Sequence, residues 1–297
     1  MTATFNPDYC GRFAPSPTGL LHAGSLTTAL GSYLEARSRN GIWRLRMEDL
    51  DPQREVPGAA DDILRVLERL GFEWDGAVEY QSRRHALYQA ALAQLIDDGL
   101  AYRCSCSRRE IQLHGRRGLD GMVYPGTCRQ GRVNCLRPFA WRLRVSDTPL
   151  LCHDALQGTT EQQLARDIGD FLLLRADGNW AYQLAVVVDD AEQGINHVVR
   201  GADLLVSTPR QNYLQQCLRF PTPAYCHLPL LVNVAGEKLS KQTLAPAISA
   251  EQGLTELVTA LTRLGQCPPP LGSLAEFWSW ALGHWQLSLV PPGPVTV

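Results

Sequence analysis

The sequence predicts an α/β protein, and three observations carry the prediction. A short apolar strand at 9–14 runs into a turn rich in proline and glycine, and then into a helix. A second strand, Ile42 to Met47, alternates apolar and polar residues directly after that helix. Strand and helix patterns return at 170–204, beyond a stretch of different composition at 102–144.

The opening turn reads Arg12-Phe13-Ala14-Pro15-Ser16-Pro17-Thr18-Gly19-Leu20-Leu21-His22-Ala23-Gly24-Ser25. Pro15 and Pro17 fix φ and keep their predecessors out of the α region, while Gly19 and Gly24 let the backbone turn. From Leu26 on, Ala29, Leu30, Tyr33 and Leu34 share one helical face, so the helix begins near His22, and Asn40-Gly41 marks its end. Its free N–H groups suit phosphate, and an imidazole there can donate to oxygens that gain charge in a transition state. Glu48, Asp49 and Asp51 follow the second strand at its carboxyl end. Ligands of open α/β sheets bind at such ends, and these acids suit a cation such as an amino-acid ammonium.

Pro57 opens a second helix with Ile63, Val66, Leu67 and Leu70 inside and Gly71 at its stop. Ser82 is expected to cap a third, burying Leu87, Ala91, Leu92, Leu95 and Ile96 and ending at Gly99. The stretch 102–144 carries arginines at 103, 108, 109, 116, 117, 129, 132, 137, 142 and 144, against Glu110 and Asp120 as its acids. That local basic surface suits RNA phosphate. Within it Cys104, Cys106 and Cys128 can take three corners of a tetrahedral zinc site, with His114, Tyr124 and Cys135 as candidates for the fourth.

A strand at Phe139 to Arg144 follows, and Asp177-Gly178 signals a hairpin turn. The run Leu184 to Val188 is apolar enough to be buried on both faces, and its periodicity fits strand or helix equally. Ile195 to Leu204 reads as a strand with Arg200 at its rim. A planar guanidinium there can hold a carboxylate bidentately and prefer it to a neutral amide. Thr208-Pro209 starts a helix. After the apolar run Leu228 to Val234 comes Gly236-Glu237-Lys238-Leu239-Ser240-Lys241-Gln242, a loop whose two lysines could close on a triphosphate. Helices at Leu254 to Leu264 and Leu274 to Leu282 and a proline-rich end complete the chain.

Composition bounds these readings. With 297 residues, 45% of them apolar, the chain can bury one large core or two smaller ones. A net charge of -2 excludes a generally basic nucleic-acid-coating protein. No leader pattern and no apolar run of about 18 residues is seen, so a cytoplasmic location and no membrane partner are expected. Nine cysteines in such a chain are expected to be reduced thiols, with metal binding as the special case.

The HAGS stretch, His22 to Ser25, and the KLSKQ stretch, Lys238 to Gln242, together resemble the two signatures of class I aminoacyl-tRNA synthetases. Arg12 to Gly19, with Arg46-Met47-Glu48-Asp49-Leu50-Asp51, looks more narrowly like the glutamyl/glutaminyl branch. Within that branch the chain is similar to the glutamyl-queuosine tRNA(Asp) synthetase family, whose Cys-x-Cys…Tyr-x-x-x-Cys zinc pattern falls on Cys104, Cys106, Tyr124 and Cys128. About fifty residues follow the lysine loop, too few for the anticodon-binding region of a full glutamyl-tRNA synthetase.

The resemblance implies a Rossmann-type class I synthetase core with an inserted zinc-bearing, acceptor-type subdomain and a short helical C-terminal part. The expected division is 1–101 and 145–235 for the two halves of the core, 102–144 for the insertion, and 236–297 for the lysine loop and the C-terminal segment. It implies that L-glutamate is activated with ATP and Mg²⁺ and transferred to queuosine in tRNA(Asp), by a monomer holding one structural zinc ion. Arg12, Phe13, Ala14, Pro15, Ser16, Glu48, Tyr182 and Arg200 would hold glutamate. His22, Gly24, Ser25 and Lys241 would hold ATP, and His22, Lys238 and Lys241 would serve catalysis. Gln242 departs from the serine of the general lysine motif, and HAGS lacks a second histidine, which leaves the phosphate contact resting largely on His22. The rival readings are 3′-end charging of tRNA(Glu), a small-molecule nucleotidyltransferase, and a silent amino-acid- or RNA-binding paralogue. ATP–pyrophosphate exchange separates the last from the enzymes.

Overall fold

A computed structural model describes residues 6–237, 248 and 250–296. The first half comprises β1 (Asn6–Phe13), α1 (Ala23–Arg37), β2 (Gly41–Met47), α2 (Ala59–Arg69), β3 (Glu79–Tyr80) and α3 (His85–Asp97). The middle contributes β4 (Ala101–Cys104), α4 (Arg108–His114), β5 (Arg116–Gly118), β6 (Gly121–Val123) and β7 (Ala140–Leu143). Then come β8 (Leu150–Asp154), β9 (Gly158–Gln162), α5 (Leu164–Asp167), β10 (Leu172–Leu174), α6 (Tyr182–Glu192), β11 (His197–Gly201), α7 (Thr208–Leu218), β12 (Ala224–Leu228) and β13 (Leu231–Val232). The chain closes with α8 (Gly253–Arg263), α9 (Leu274–His284) and β14 (Val295–Thr296).

β1, β2 and β3 are parallel neighbours in that order, and β11, β12 and β8 form a second parallel set. The two sets meet where the Asn196 amide donates to the Cys10 carbonyl at 3.0 Å and the Cys10 amide donates to Asn196 Oδ1 at 2.7 Å. The carboxyl ends of β1, β2, β11 and β12 therefore open on one side, with the change of strand order between β1 and β11. That is where an open α/β sheet presents its ligand crevice.

α1 is buried nearly all round rather than along one stripe, because the sheet covers one side and α8 and α9 the other. Leu26, Leu30 and Leu34 pack in one core with Trp43, Leu45, Phe72, Leu257, Leu261 and Phe277. Tyr33 meets Trp43 edge-on at 5.0 Å and Phe72 at 5.3 Å, and Phe72 meets Trp278 at 5.0 Å. Each such pair contributes about 0.5–1.5 kcal/mol beyond its buried area. Trp278 Nε1 donates to the Leu70 carbonyl at 2.9 Å, directly over Gly71 at φ 84°. A Cβ on Gly71 would lie 2.5 Å from that nitrogen, so both the left-handed turn and the close approach require glycine.

The apolar run 184–188 is helical. Asp177-Gly178 does turn the chain, but the returning arm makes a single bridge, Leu174 to Trp180, before α6 begins at Tyr182. Leu184 to Val188 of α6 are all buried, with no exposed stripe, because the helix packs in the second core among Tyr88, Leu92, Leu95, Leu214 and Leu218, and its Asp189 and Asp190 are buried beside them. Ser82 does not cap α3: its amide and hydroxyl donate to Asp49 at 2.8 and 2.6 Å, and the helix starts at His85. The register of α3 consequently buries Tyr88 and leaves Leu87 exposed. α2 starts at Ala59, with Gly58 rather than Pro57 at its cap. The antiparallel pair β8–β9 follows a stretch without a clear pattern. No described helix is long and apolar enough to cross a membrane.

Candidate active site and metal centre

A cavity of about 250 Å³ opens at the carboxyl ends of the parallel strands. It is lined by Arg12, Phe13, Ala14, Pro15 and Ser16 from the end of β1, Glu48 after β2, Tyr182 at the start of α6, and Arg200 from β11. His22, Gly24 and Ser25, at the start of α1, line the same space. The Glu48 amide donates to the Pro15 carbonyl at 2.9 Å, so the acid and the opening turn are tied together. All the residues expected to hold glutamate are thus gathered in one place, beside His22, Gly24 and Ser25 of those expected to hold ATP. Lys238 and Lys241 lie outside the described residues.

Beneath the cavity is a buried charge cluster. Arg12 Nε donates to Asp190 Oδ1 at 3.2 Å and Arg46 Nη2 to the same oxygen at 2.8 Å. Arg46 is fully buried, and its Nη1 donates to Gln193 at 2.6 Å. Asp189 accepts from Arg84, Gln81 and Tyr88 at 2.7, 2.7 and 2.8 Å. Burial would raise the Asp190 carboxyl, but Arg12 and Arg46 hold it below the usual range. Burial pushes Glu48 up, against the pull of Arg46 and Arg12, and its nearest cation, Arg46 Nη2, is 3.5 Å away. Glu48 is therefore the less satisfied acid and the one facing the cavity. Burial, reinforced by Glu48, pushes the Tyr182 phenol up to about 12, so it is a neutral hydrogen-bond donor.

Arg200 is 4% exposed. Its Nε donates to His227 Nε2 at 3.0 Å, Nη1 to Gln211 Oε1 at 2.7 Å and Nη2 to Thr208 Oγ1 at 2.8 Å. At the other end of the cavity His22 is the N-cap of α1, its Nδ1 accepting from the Ser25 amide at 3.3 Å. That bond leaves the proton on Nε2, which lies 3.0 Å from Ser25 Oγ. The ring thus lies beside the helix terminus with Ser25 Oγ as the partner of its Nε2 proton.

Asp189, Asp190, His227 and Asp154 were missed by sequence reasoning. The two aspartates had a signal, since an acidic pair closing the apolar run 184–188 must be partnered if the run is buried. His227, a lone histidine in a strand, had none.

Within 102–144, Cys104, Cys106 and Cys128 bring their sulfurs within 4.8 Å of one another. Tyr124 Oη lies 3.4 Å from Cys104 Sγ and 3.6 Å from Cys106 Sγ, and accepts from the Cys128 amide at 2.8 Å. Three mostly buried thiols and a phenol oxygen converge, a donor set that fits a tetrahedral metal ion. Among the described residues neither His114 nor Cys135 joins them. Several arginines of this stretch have structural partners. Arg142 is buried over the Tyr124 ring and donates to the Asp170 carbonyl at 2.8 Å; Arg129 donates to the Val145 carbonyl at 2.8 Å; Arg137 pairs with Glu110 at 2.9 Å. Arg103 lies over Phe139, and Arg144 over Tyr102. The basic surface is therefore narrower than the arginine count suggests, with Arg108, Arg109, Arg117 and Arg132 exposed on it.

The chain matches the family described as tRNA synthetases class I (E and Q), catalytic domain, over residues 10–266. It is 67% identical over 291 residues to a Chromobacterium violaceum protein named glutamyl-Q tRNA(Asp) synthetase, covering 98% of each chain. A Neisseria meningitidis serogroup B protein of the same name is 57% identical over 293 residues, covering 97% of this chain and 99% of its own. The crystal structure of glutamate-tRNA synthetase from Elizabethkingia anophelis shares the fold, with a TM-score of 0.80 at 24% identity over 97% of this chain and 68% of that one.

Proposed function

Since the chain belongs to the class I tRNA synthetases of the E and Q type, we propose that it activates L-glutamate with ATP and transfers it to queuosine in the anticodon loop of tRNA(Asp). The names of the relatives that cover nearly its whole length support that acceptor. The observation that carries glutamate is the single cavity in which a partly satisfied acid, Glu48, faces a buried guanidinium, Arg200, beside the N-terminus of α1.

The chemistry asked of these residues is positioning. An amino-acid carboxylate is already a nucleophile, so activation needs it in line with the α-phosphate of ATP, with the developing charge neutralised. Glu48 would take the ammonium, with Ser16 beside it, while Arg12, a donor only, would hold glutamate through a carboxylate and Tyr182 would donate from the cavity wall. Arg200 would hold the side-chain carboxylate and so select glutamate over glutamine. The α-carboxylate would then point toward His22 and the first amides of α1, which would hold phosphate, the Nε2 proton exchanging Ser25 Oγ for a phosphate oxygen. Lys238 and Lys241 would stabilise the departing pyrophosphate. Mg²⁺ bound with ATP would supply further neutralisation of phosphate charge. Queuosine carries a vicinal diol like that of a terminal ribose, so an adenylate formed here can be attacked by a hydroxyl of either acceptor.

For the metal centre we propose zinc, held by Cys104, Cys106, Cys128 and Tyr124, in a structural role. ATP–pyrophosphate exchange with glutamate tests the first half-reaction. The decisive assay is transfer of labelled glutamate to queuosine-containing tRNA(Asp), to the same tRNA without queuosine, and to tRNA(Glu), each with free and blocked 3′ ends. Labelling that needs queuosine and survives the 3′ block is expected. Labelling of tRNA(Glu) abolished by the block would instead identify a 3′-end charging enzyme.

A further inference from the structure

Arg200, His227 and Asp154 stand on three adjacent strands of one sheet. Arg200 and His227 are direct partners in the parallel register of β11 and β12, and β12 pairs in turn with β8, where Tyr225 is the partner of Asp154. Arg200 Nε donates to His227 Nε2 at 3.0 Å, and His227 Nδ1 lies 2.6 Å from Asp154 Oδ2. His227 is fully buried, and the Asp154 side chain nearly so. Asp154 Oδ1 accepts from the amides of Leu156, Gln157 and His227 at 3.0, 2.8 and 3.2 Å, which fixes the carboxylate beside the ring.

These contacts determine the tautomer. An ionised carboxylate accepts only, so Nδ1 carries the proton, and a guanidinium donates only, so Nε2 presents its lone pair to Arg200. Every partner of the Arg200 guanidinium is consequently neutral: His227, Gln211, Thr208 and, at 3.5 Å, the Leu204 carbonyl. Among the described residues no carboxylate lies within ion-pair distance of it, whereas the buried Arg12 and Arg46 share Asp190. A buried cation held by neutral acceptors is oriented without being neutralised, and its electrostatic demand is left for whatever anion enters the cavity.

We propose that His227 and Asp154 are positioning residues for the acceptor-independent step: Asp154 locks the His227 tautomer, and the neutral ring fixes the Arg200 plane without supplying a counter-charge, so that the incoming side-chain carboxylate supplies it. The inference rests on the reading of Arg200 as the carboxylate-binding residue. It makes glutamate-over-glutamine selection a property of three strands rather than of one side chain.

The test is ATP–pyrophosphate exchange with the full chain, reading the KM for glutamate, the KM for ATP and the preference for glutamate over glutamine. His227→Leu removes the acceptor to a charged donor and is expected to raise the glutamate KM about tenfold to a hundredfold, with the ATP KM unchanged and the glutamate preference reduced. His227→Gln, whose carboxamide oxygen can replace the Nε2 lone pair, is expected to recover most of that loss. In an Arg200→Ala background His227→Leu should add less than about twofold, because the two changes remove one interaction. The ¹⁵N spectrum of the histidine should show Nδ1 protonated and Nε2 bare, a pattern that Asp154→Asn disturbs while raising the glutamate KM.

If Arg200→Ala leaves the glutamate KM unchanged, the carboxylate-binding reading itself falls. If Arg200→Ala raises it but a folded His227→Leu does not, or if Nε2 carries the proton, the positioning role is refuted and that reading survives. Should His227→Leu fail to fold, Asp154→Asn and the ¹⁵N spectrum decide.

Discussion

Glu48 and Asp190 lie in one buried cluster yet shift in opposite directions. Asp190 has two guanidinium groups at 2.8 and 3.2 Å, which overcome its burial, whereas Glu48 has one at 3.5 Å, which does not. If Glu48 binds the ammonium of glutamate, binding needs its ionised form. As pH falls through its raised pKa the carboxyl gains a proton, and the glutamate KM should rise at a pH above the ordinary glutamic-acid range of about 4.3. Asp190, held low, titrates further down and leaves that limb to Glu48. Glu48→Gln should raise the glutamate KM at neutral pH by about tenfold or more and abolish the acid limb, since the amide does not titrate. An acid limb that persists unchanged in Glu48→Gln would assign it to another group. The pH profile of kcat/KM for glutamate at saturating ATP is the measurement.

At the scale of elements, the cysteine cluster joins β4, the start of β6's following loop and the turn at Cys128 into one small core with Tyr102 and Tyr124. That core is separate from the two that hold the parallel strands. Cys104→Ser should therefore lower bound zinc and loosen the stretch around it while the main cores stay folded. Elemental analysis and hydrogen exchange across 104–128 check this, and an unchanged zinc content would remove Cys104 from the ligand set. The hairpin β5–β6 is fastened independently. The Leu119 amide donates to the Asp167 carbonyl at 3.0 Å, and a Cβ on Gly118 would lie 2.2 Å from that same carbonyl oxygen. Gly118→Ala must push backbone from backbone, so it should displace the hairpin from α5 and cost about 1–3 kcal/mol.

What the sequence disclosed follows this division between local and distant causes. The turn from Arg12 to Ser25, the strand before Glu48 and the cysteine spacing are local patterns, and each led to the place its residues occupy. The nature of 184–188 was not local, because a helix packed on every side loses its amphipathic stripe and only the surrounding α3 and α7 reveal why. The α3 cap was misplaced for a similar reason: Asp49, distant in sequence, takes the Ser82 hydroxyl that would have capped the helix. The partners of Arg200 come from β12 and α7, and no spacing in the chain announces them.

On the scale of the whole molecule, a net charge of -2 provides no general attraction to RNA, so an RNA substrate must be met by a local field. The stretch 102–144 is the candidate for it, but Arg142, Arg129 and Arg137 are held by Asp170, Val145 and Glu110, and Arg103 and Arg144 lie over aromatic rings. Arg108, Arg109 and Arg132 are exposed and are the residues to test. If they meet RNA phosphate, each alanine substitution should weaken RNA binding several-fold and reduce the dependence of log affinity on log salt by about one. ATP–pyrophosphate exchange should be unaffected, because none of these arginines lines the cavity between β1 and β11. Loss of both activities together would place these arginines in the fold rather than at the RNA. Loss of neither, with the salt slope intact, would move the RNA-binding face to another side of the molecule.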